Sequence, residues 1–141
     1  MAGYSGTPLV KKLGIKAGCR LLLLHAPPDF GDILGPLPDR IETRTDLSGK
    51  DLGDVIVFFT TRRSLLTQQF ARLMKRLSPS GGLWIAWPKK ASGVETDLTE
   101  NVIRDQALEA GLVDNKVCAI DDTWSGLRLV YRLRDRPGQV S

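Results

Sequence analysis

Residues 54–87 read DVIVFFTTRRSLLTQQFARLMKRLSPSGGLWIAW. Val55-Ile56-Val57-Phe58-Phe59 is an unbroken apolar run of β-branched and aromatic residues, without the polar alternation of a strand that faces water. Such a run is buried on both faces, as strands of a parallel sheet are. From Arg62 to Leu77 the period changes. Leu66, Phe70, Leu73, Met74 and Leu77 fall at i, i+4, i+7, i+8 and i+11, which is one apolar stripe along a helix. Thr60 or Thr61 is placed to cap its start, and Ser78-Pro79-Ser80-Gly81-Gly82 breaks it. Leu83–Trp87 is again a buried strand, stopped by Pro88. A strand, a helix and a second strand of this kind make a right-handed crossover unit.

Working outward, the N-terminal side supplies a second such strand. Thr7-Pro8 opens a short helix, Thr as N-cap and Pro preorganised for the first turn, with Leu9, Val10 and Leu13 on one face and Gly14 closing it. Arg20–His25 follows as a buried strand between Gly18 and Pro27-Pro28. Three prolines and two glycines in residues 28–38 leave room for one helical turn, around Asp29–Leu34. Arg40–Thr45 is a weak strand with Ile41 and Thr43 on one side, and Asp46–Gly53 a polar connection.

On the C-terminal side, Asp97 and Glu100 form a capping box at the head of a helix that carries Val102, Ile103, Ala107 and Leu108 inward and ends at Gly111. Val113–Asp121 and Leu127–Leu133 are an antiparallel hairpin that places an antiparallel strand at the sheet's edge. Residues 134–141 are a polar, flexible tail. The expected architecture is a single α/β domain over residues 1–141, a Rossmann-like three-layer α/β/α fold with a mostly parallel sheet and a C-terminal antiparallel hairpin.

Bulk properties narrow the class of function. At 141 residues, 42% hydrophobic and 26% charged, the chain is of the ordinary globular kind. No apolar run approaches the length of a membrane span, and the first residues lack a secretory pattern, so a cytoplasmic protein with reduced Cys19 and Cys118 is expected. With His25 the only histidine, no dedicated metal site is expected. A net charge of +4 and a pI near 9.3 permit an anionic partner. The 20 basic residues are scattered among 16 acidic ones, which reads as a solvated basic surface rather than a nucleic-acid interface.

Two resemblances add to these observations. The final helix and hairpin, the stretch Leu13-Gly14-Ile15-Lys16-Ala17-Gly18-Cys19-Arg20-Leu21-Leu22-Leu23-Leu24 and the Ser78-Pro79-Ser80-Gly81-Gly82-Leu83 turn resemble class I methyltransferases. Residues 4–9 (YSGTPL), 83–93 (LWIAWPKKASG), 114–121 (DNKVCAID) and 124–128 (WSGLR) are similar to an uncharacterised bacterial family known as a domain of unknown function. That second resemblance implies the fold and brings no activity with it. In methyltransferases a G-x-G loop follows the first strand, so that the backbone can approach the methyl donor. Here His25-Ala26-Pro27-Pro28-Asp29-Phe30 stands in its place, and two prolines remove two N–H donors while adding ring bulk. The acidic residue expected after the second strand has only Glu42 and Asp46 as candidates. S-adenosylmethionine is therefore not an expected cofactor.

Ligands of open parallel sheets bind beyond the carboxyl ends of the strands. That edge collects His25, Thr60, Thr61, Arg62, Arg63, Trp87, Lys89, Lys90, Ser92 and Gly93, with hydroxyls and cations at a helix N-terminus that suit a phosphate or carboxylate. The same residues also read as a plain N-cap with solvated lysines. His25 is a candidate general base, but at the end of a buried strand a hydrogen-bonded structural histidine is the expectation. Asp122, Trp124, Ser125 and Gly126, in a loop longer than a hairpin needs, are candidates for a lid or a partner contact, or Trp124 folds back over the core. No nucleophile–base pairing is visible. The function these features favour is a non-catalytic module that binds a small anionic ligand or a protein partner. A divergent methyltransferase whose donor binds through residues 87–93, and a nucleic-acid-binding protein, are the alternatives.

Overall fold

The computed structural model describes residues 7–132; the expected tail at 134–141 lies outside the described residues. Strands β1 (Arg20–Leu24), β2 (Glu42–Arg44), β3 (Gly53–Phe59), β4 (Leu77–Pro88), β5 (Leu112–Ala119) and β6 (Trp124–Tyr131) form one sheet in the order β2-β1-β3-β4-β6-β5. β2, β1, β3 and β4 run parallel, and β6 is antiparallel to both of its neighbours. The antiparallel strand is thus interior, between β4 and β5, and not at the edge as expected. β5 returns to the parallel direction and closes the sheet.

Among the described residues the α-helices are α1 (Leu9–Lys12), α2 (Phe30–Leu34), α3 (Arg63–Arg76) and α4 (Glu100–Ala110). Because strand residues alternate between faces, the central strands β1, β3 and β4 supply two cores. Leu22, Leu24, Ile56, Phe58, Leu83 and Ile85 meet Leu66, Phe70 and Leu73 of α3 and Ile103 and Ala107 of α4. Leu21, Val55, Val57, Phe59, Trp84 and Ala86 meet Val10 and Leu13 of α1 and Phe30 and Leu34 of α2. Trp84 is fully buried, and its indole N–H donates to the Leu13 carbonyl at 3.0 Å, which ties the α1 turn to the middle of the sheet.

Several local expectations change. β4 begins at Leu77, directly after α3: residues 78–82 do break the helix, but they extend the strand through an irregular register beside β3. β6 begins at Trp124, because Trp124, Ser125 and Gly126 pair with Pro88, Trp87 and Ala86; the hairpin connection is correspondingly short. Leu108 is exposed rather than inward, since the buried stripe of α4 is carried by Ile103 and Ala107. The N-cap of α4 is Thr99, whose hydroxyl oxygen accepts from the Val102 N–H at 3.1 Å, and not Asp97.

Residues 45–52 return from β2 to β3 without a helix and are pinned from α3. The Arg76 guanidinium, almost fully buried, donates to the carbonyls of Asp51 (2.5 Å) and Leu47 (2.8 Å).

Candidate functional site

The carboxyl ends of β1, β3 and β4 bring His25, Thr60 and Lys89 to one edge, as the order of the parallel strands requires. His25 takes φ 58°, a left-handed conformation that glycine adopts freely and histidine tolerates better than most residues. Its ring is exposed and lies tilted on Phe58, with centroids 5.1 Å apart. The expectation of a hydrogen-bonded structural histidine at the end of a buried strand is corrected: the left-handed turn leaves the side chain exposed, its ring contact being with Phe58. The Pro27 carbonyl then accepts from the Phe30 N–H at 3.0 Å and starts α2.

Phe30 packs edge-on against Phe59 at 5.0 Å, and Phe59 packs edge-on against Trp124 at 5.1 Å. These three rings come from α2, the end of β3 and the start of β6. They join the core on the α1 face of the sheet, and edge-to-face geometry is the favoured one for such pairs. Trp124 therefore folds back over the core. Gly126 makes room for Trp84 and Ile120: a Cβ at that position would come within 3.0 Å of the Trp84 ring and 3.2 Å of Ile120.

The acidic candidates face elsewhere. Glu42 lies at the amino end of β2, paired with Arg20 at 2.8 Å, and that hydrogen bond holds its carboxyl below the ordinary value. Asp46 accepts from the hydroxyl and the N–H of Ser48, which lower its pKa in the same sense.

At the start of α3 the anion seat is already engaged. Asp97 Oδ1 accepts from the Arg63 N–H at 2.7 Å, so a carboxylate from the loop before α4 caps α3. Thr60 is buried, its hydroxyl oxygen 3.2 Å from the Arg62 N–H, and the Thr96 hydroxyl donates to the Thr61 carbonyl at 2.6 Å. Thr61 and Arg62 line a cavity of about 500 Å³ together with Glu95 and Asp97.

Lys89 belongs to a different cavity, of about 610 Å³, whose lining includes Lys12, Ile33, Asp121 and Asp122. The two halves of the expected anion crevice thus do not converge in one cavity. Ser92 uses its hydroxyl within a single 3-10 turn, donating to the Lys89 carbonyl at 2.6 Å and accepting from Val94 N–H, while Lys90 and Gly93 are exposed and Trp87 is buried. Asp121 and Asp122 lie in the β5–β6 turn, and Asp121 Oδ1 accepts from the N–H groups of Thr123 and Trp124. Ser125 pairs in the sheet between Trp87 and Ala119. Among the described residues no three His, Cys, Asp or Glu side chains gather as a metal site, and no helix is long and apolar enough to cross a membrane.

Strand order, the interior antiparallel β6 and the helix placement define the class: this is the fold of the class I, S-adenosylmethionine-dependent methyltransferases. Solved structures agree on the fold. The chain is similar to a structure described as the DhpI–SAH complex (TM-score 0.61, 11% identity, covering 88% of this chain and 81% of that one). It is also similar to a SAM-dependent methyltransferase from Aquifex aeolicus (TM-score 0.57, 16% identity, 86% of each chain). A third likeness is to Aeropyrum pernix fibrillarin with natively bound S-adenosyl-L-methionine (TM-score 0.52, 16% identity, 91% and 70%). No curated protein matches the chain. Residues 37–133 match the family described as "Protein of unknown function (DUF3052)", and the chain belongs to that family.

Proposed function

We propose that this protein is a non-catalytic binding module built on a methyltransferase frame, with a small anionic ligand as what it binds. The observation that carries the proposal is the Pro27-Pro28 turn directly after β1, at the edge where a methyltransferase has its glycine loop, followed by Phe30, which packs edge-on against Phe59 and through it reaches Trp124. Two supports stand beside it. Glu42 and Asp46 are engaged away from that edge, so the ribose-gripping acid is missing from it. His25 has no carboxylate or hydroxyl bonded to it among the described residues that would make it half of an acid–base pair.

Titration with S-adenosylmethionine tests the proposal, because a ligand that binds only the folded state raises the melting temperature. The expected result is no saturable rise in Tm up to millimolar concentration. A saturable rise, with heat of binding in calorimetry, would overturn the proposal in favour of the divergent transferase reading.

A further inference from the structure

On the α1 face, towards the amino ends of the strands, a cavity of about 600 Å³ lies under the turn that joins α1 to β1. Its lining carries five cationic side chains, Lys11, Lys12, Lys16, Lys116 and Arg128, and one carboxylate, Asp54. They come from three separated parts of the chain. Lys116 pairs with Arg128 across β5 and β6, and Arg128 pairs with Trp84 of β4, so both cations project on the Trp84 face.

The charge is not balanced from within. Ion pairs among the described residues take up Arg20, Arg44 and Arg104, and none involves these five cations. Asp54 is itself engaged, its Oδ2 accepting from the Arg20 N–H at 2.9 Å. Arg128 is half-buried, and burial pushes its pKa down from the ordinary arginine value, as expected of a cation withdrawn from water without a counter-charge. Its guanidinium lies across Gly82: a Cβ there would fall 2.3 Å from Arg128 Nε. The absent side chain in β4 is what gives the guanidinium its place over the strand.

We propose that this amino-edge cavity is an anion site that takes a small molecule bearing two or more phosphates. Five cations against one carboxylate leave four positive charges, which exceeds what a single phosphate neutralises and suits a diphosphate. Guanidinium and ammonium groups together are the usual donor set for phosphate oxygens. The site is distinct from the carboxyl-edge crevice and specifies the ligand class of the binding-module reading, on which it rests.

Inorganic pyrophosphate is the probe, titrated into the full chain at constant ionic strength and followed by calorimetry and Tm. Saturable binding is expected, tighter than that of orthophosphate. It should weaken at least tenfold in Arg128→Gln and in the surface pair Lys12→Gln/Lys16→Gln, and stay unchanged in Lys50→Gln/Lys75→Gln, whose lysines lie elsewhere on the exposed surface. Gly82→Ala keeps every charge but displaces the guanidinium, and should weaken binding too. Absence of saturable binding up to 10 mM (roughly the limit set by weak phosphate contacts) overturns the proposal. So does binding that the cavity variants leave intact, or an oligonucleotide that binds more tightly than pyrophosphate. S-adenosylmethionine binding would overturn the non-catalytic reading alone, so the two failures are distinguishable.

Discussion

Removing the Asp97 carboxylate tests whether the helix terminus that looks open in sequence is closed in the fold. Asp97 Oδ1 stands 2.7 Å from the Arg63 N–H, a charge-assisted bond across 34 positions of sequence. Asp97→Ala deletes that bond, and because both residues are exposed the freed N–H meets water rather than a dry interior. The cost should therefore be that of a lost helix cap, about 1 to 1.5 kcal/mol, and not that of a buried orphan donor. In a chain of this size that lowers Tm by about 3 to 6 °C. Asp97→Asn keeps an acceptor but loses the charge that opposes the helix dipole, so about half the loss is expected, shrinking with added salt. Chemical denaturation gives the free energies, and amide hydrogen exchange gives the location. Exchange should quicken at the head of α3, around Arg63, and stay unchanged at Asn101–Ile103 of α4. Faster exchange at α4 instead, or an alanine variant within 1 °C of the wild type, would refute the assignment of Asp97 to α3.

Other outcomes follow from the packing. Trp84→Phe removes the indole bond to Leu13 and leaves a void at a fully buried site; a loss of about 2 to 3 kcal/mol in denaturant unfolding is expected, and a loss below about 0.5 kcal/mol would contradict the tie between α1 and the sheet. Arg76→Met frees the carbonyls of Leu47 and Asp51, so limited proteolysis should cut within residues 45–52 several times faster than in the wild type; equal rates would show that the segment holds without the guanidinium. Stability should also fall in acid. Glu42 and Asp46 have folded pKa values below their unfolded ones, so their contribution is present above the unfolded carboxylate value, about pH 4, and is lost as pH drops through the folded value. Tm measured from pH 6 to pH 3 should fall less steeply in Glu42→Gln, and an unchanged slope would remove the Arg20–Glu42 pair from the account.

The sequence by itself determined the class of fold, because that information is local. Unbroken apolar runs such as Val55–Phe59 report burial on both faces, and the stripe Leu66, Phe70, Leu73 reports one buried helix face, whatever surrounds them. The ends of elements were less legible where neighbours compete for the same residues. Asp97 fits a capping box with Glu100, yet its carboxylate goes to a different helix, while Thr99 caps α4. Trp124–Gly126 read as loop because Ser125-Gly126 suits a turn; pairing with β4 overrides that preference. Prolines in the place of the glycine loop were visible in the sequence, because they are a local feature of the chain.

What stands on either edge of the sheet was decided only in three dimensions. Residues 30, 59 and 124 pack edge-on because the strand order brings α2 and the ends of β3 and β6 to one part of the sheet. Lysines from the α1–β1 turn meet Lys116 and Arg128 because the antiparallel register of β5, β6 and β4 aligns them on one face. Periodicity along a chain reports whether a side chain is buried. Which distant charge or ring it meets depends on strand order and register, and those are set by the packing of the whole domain.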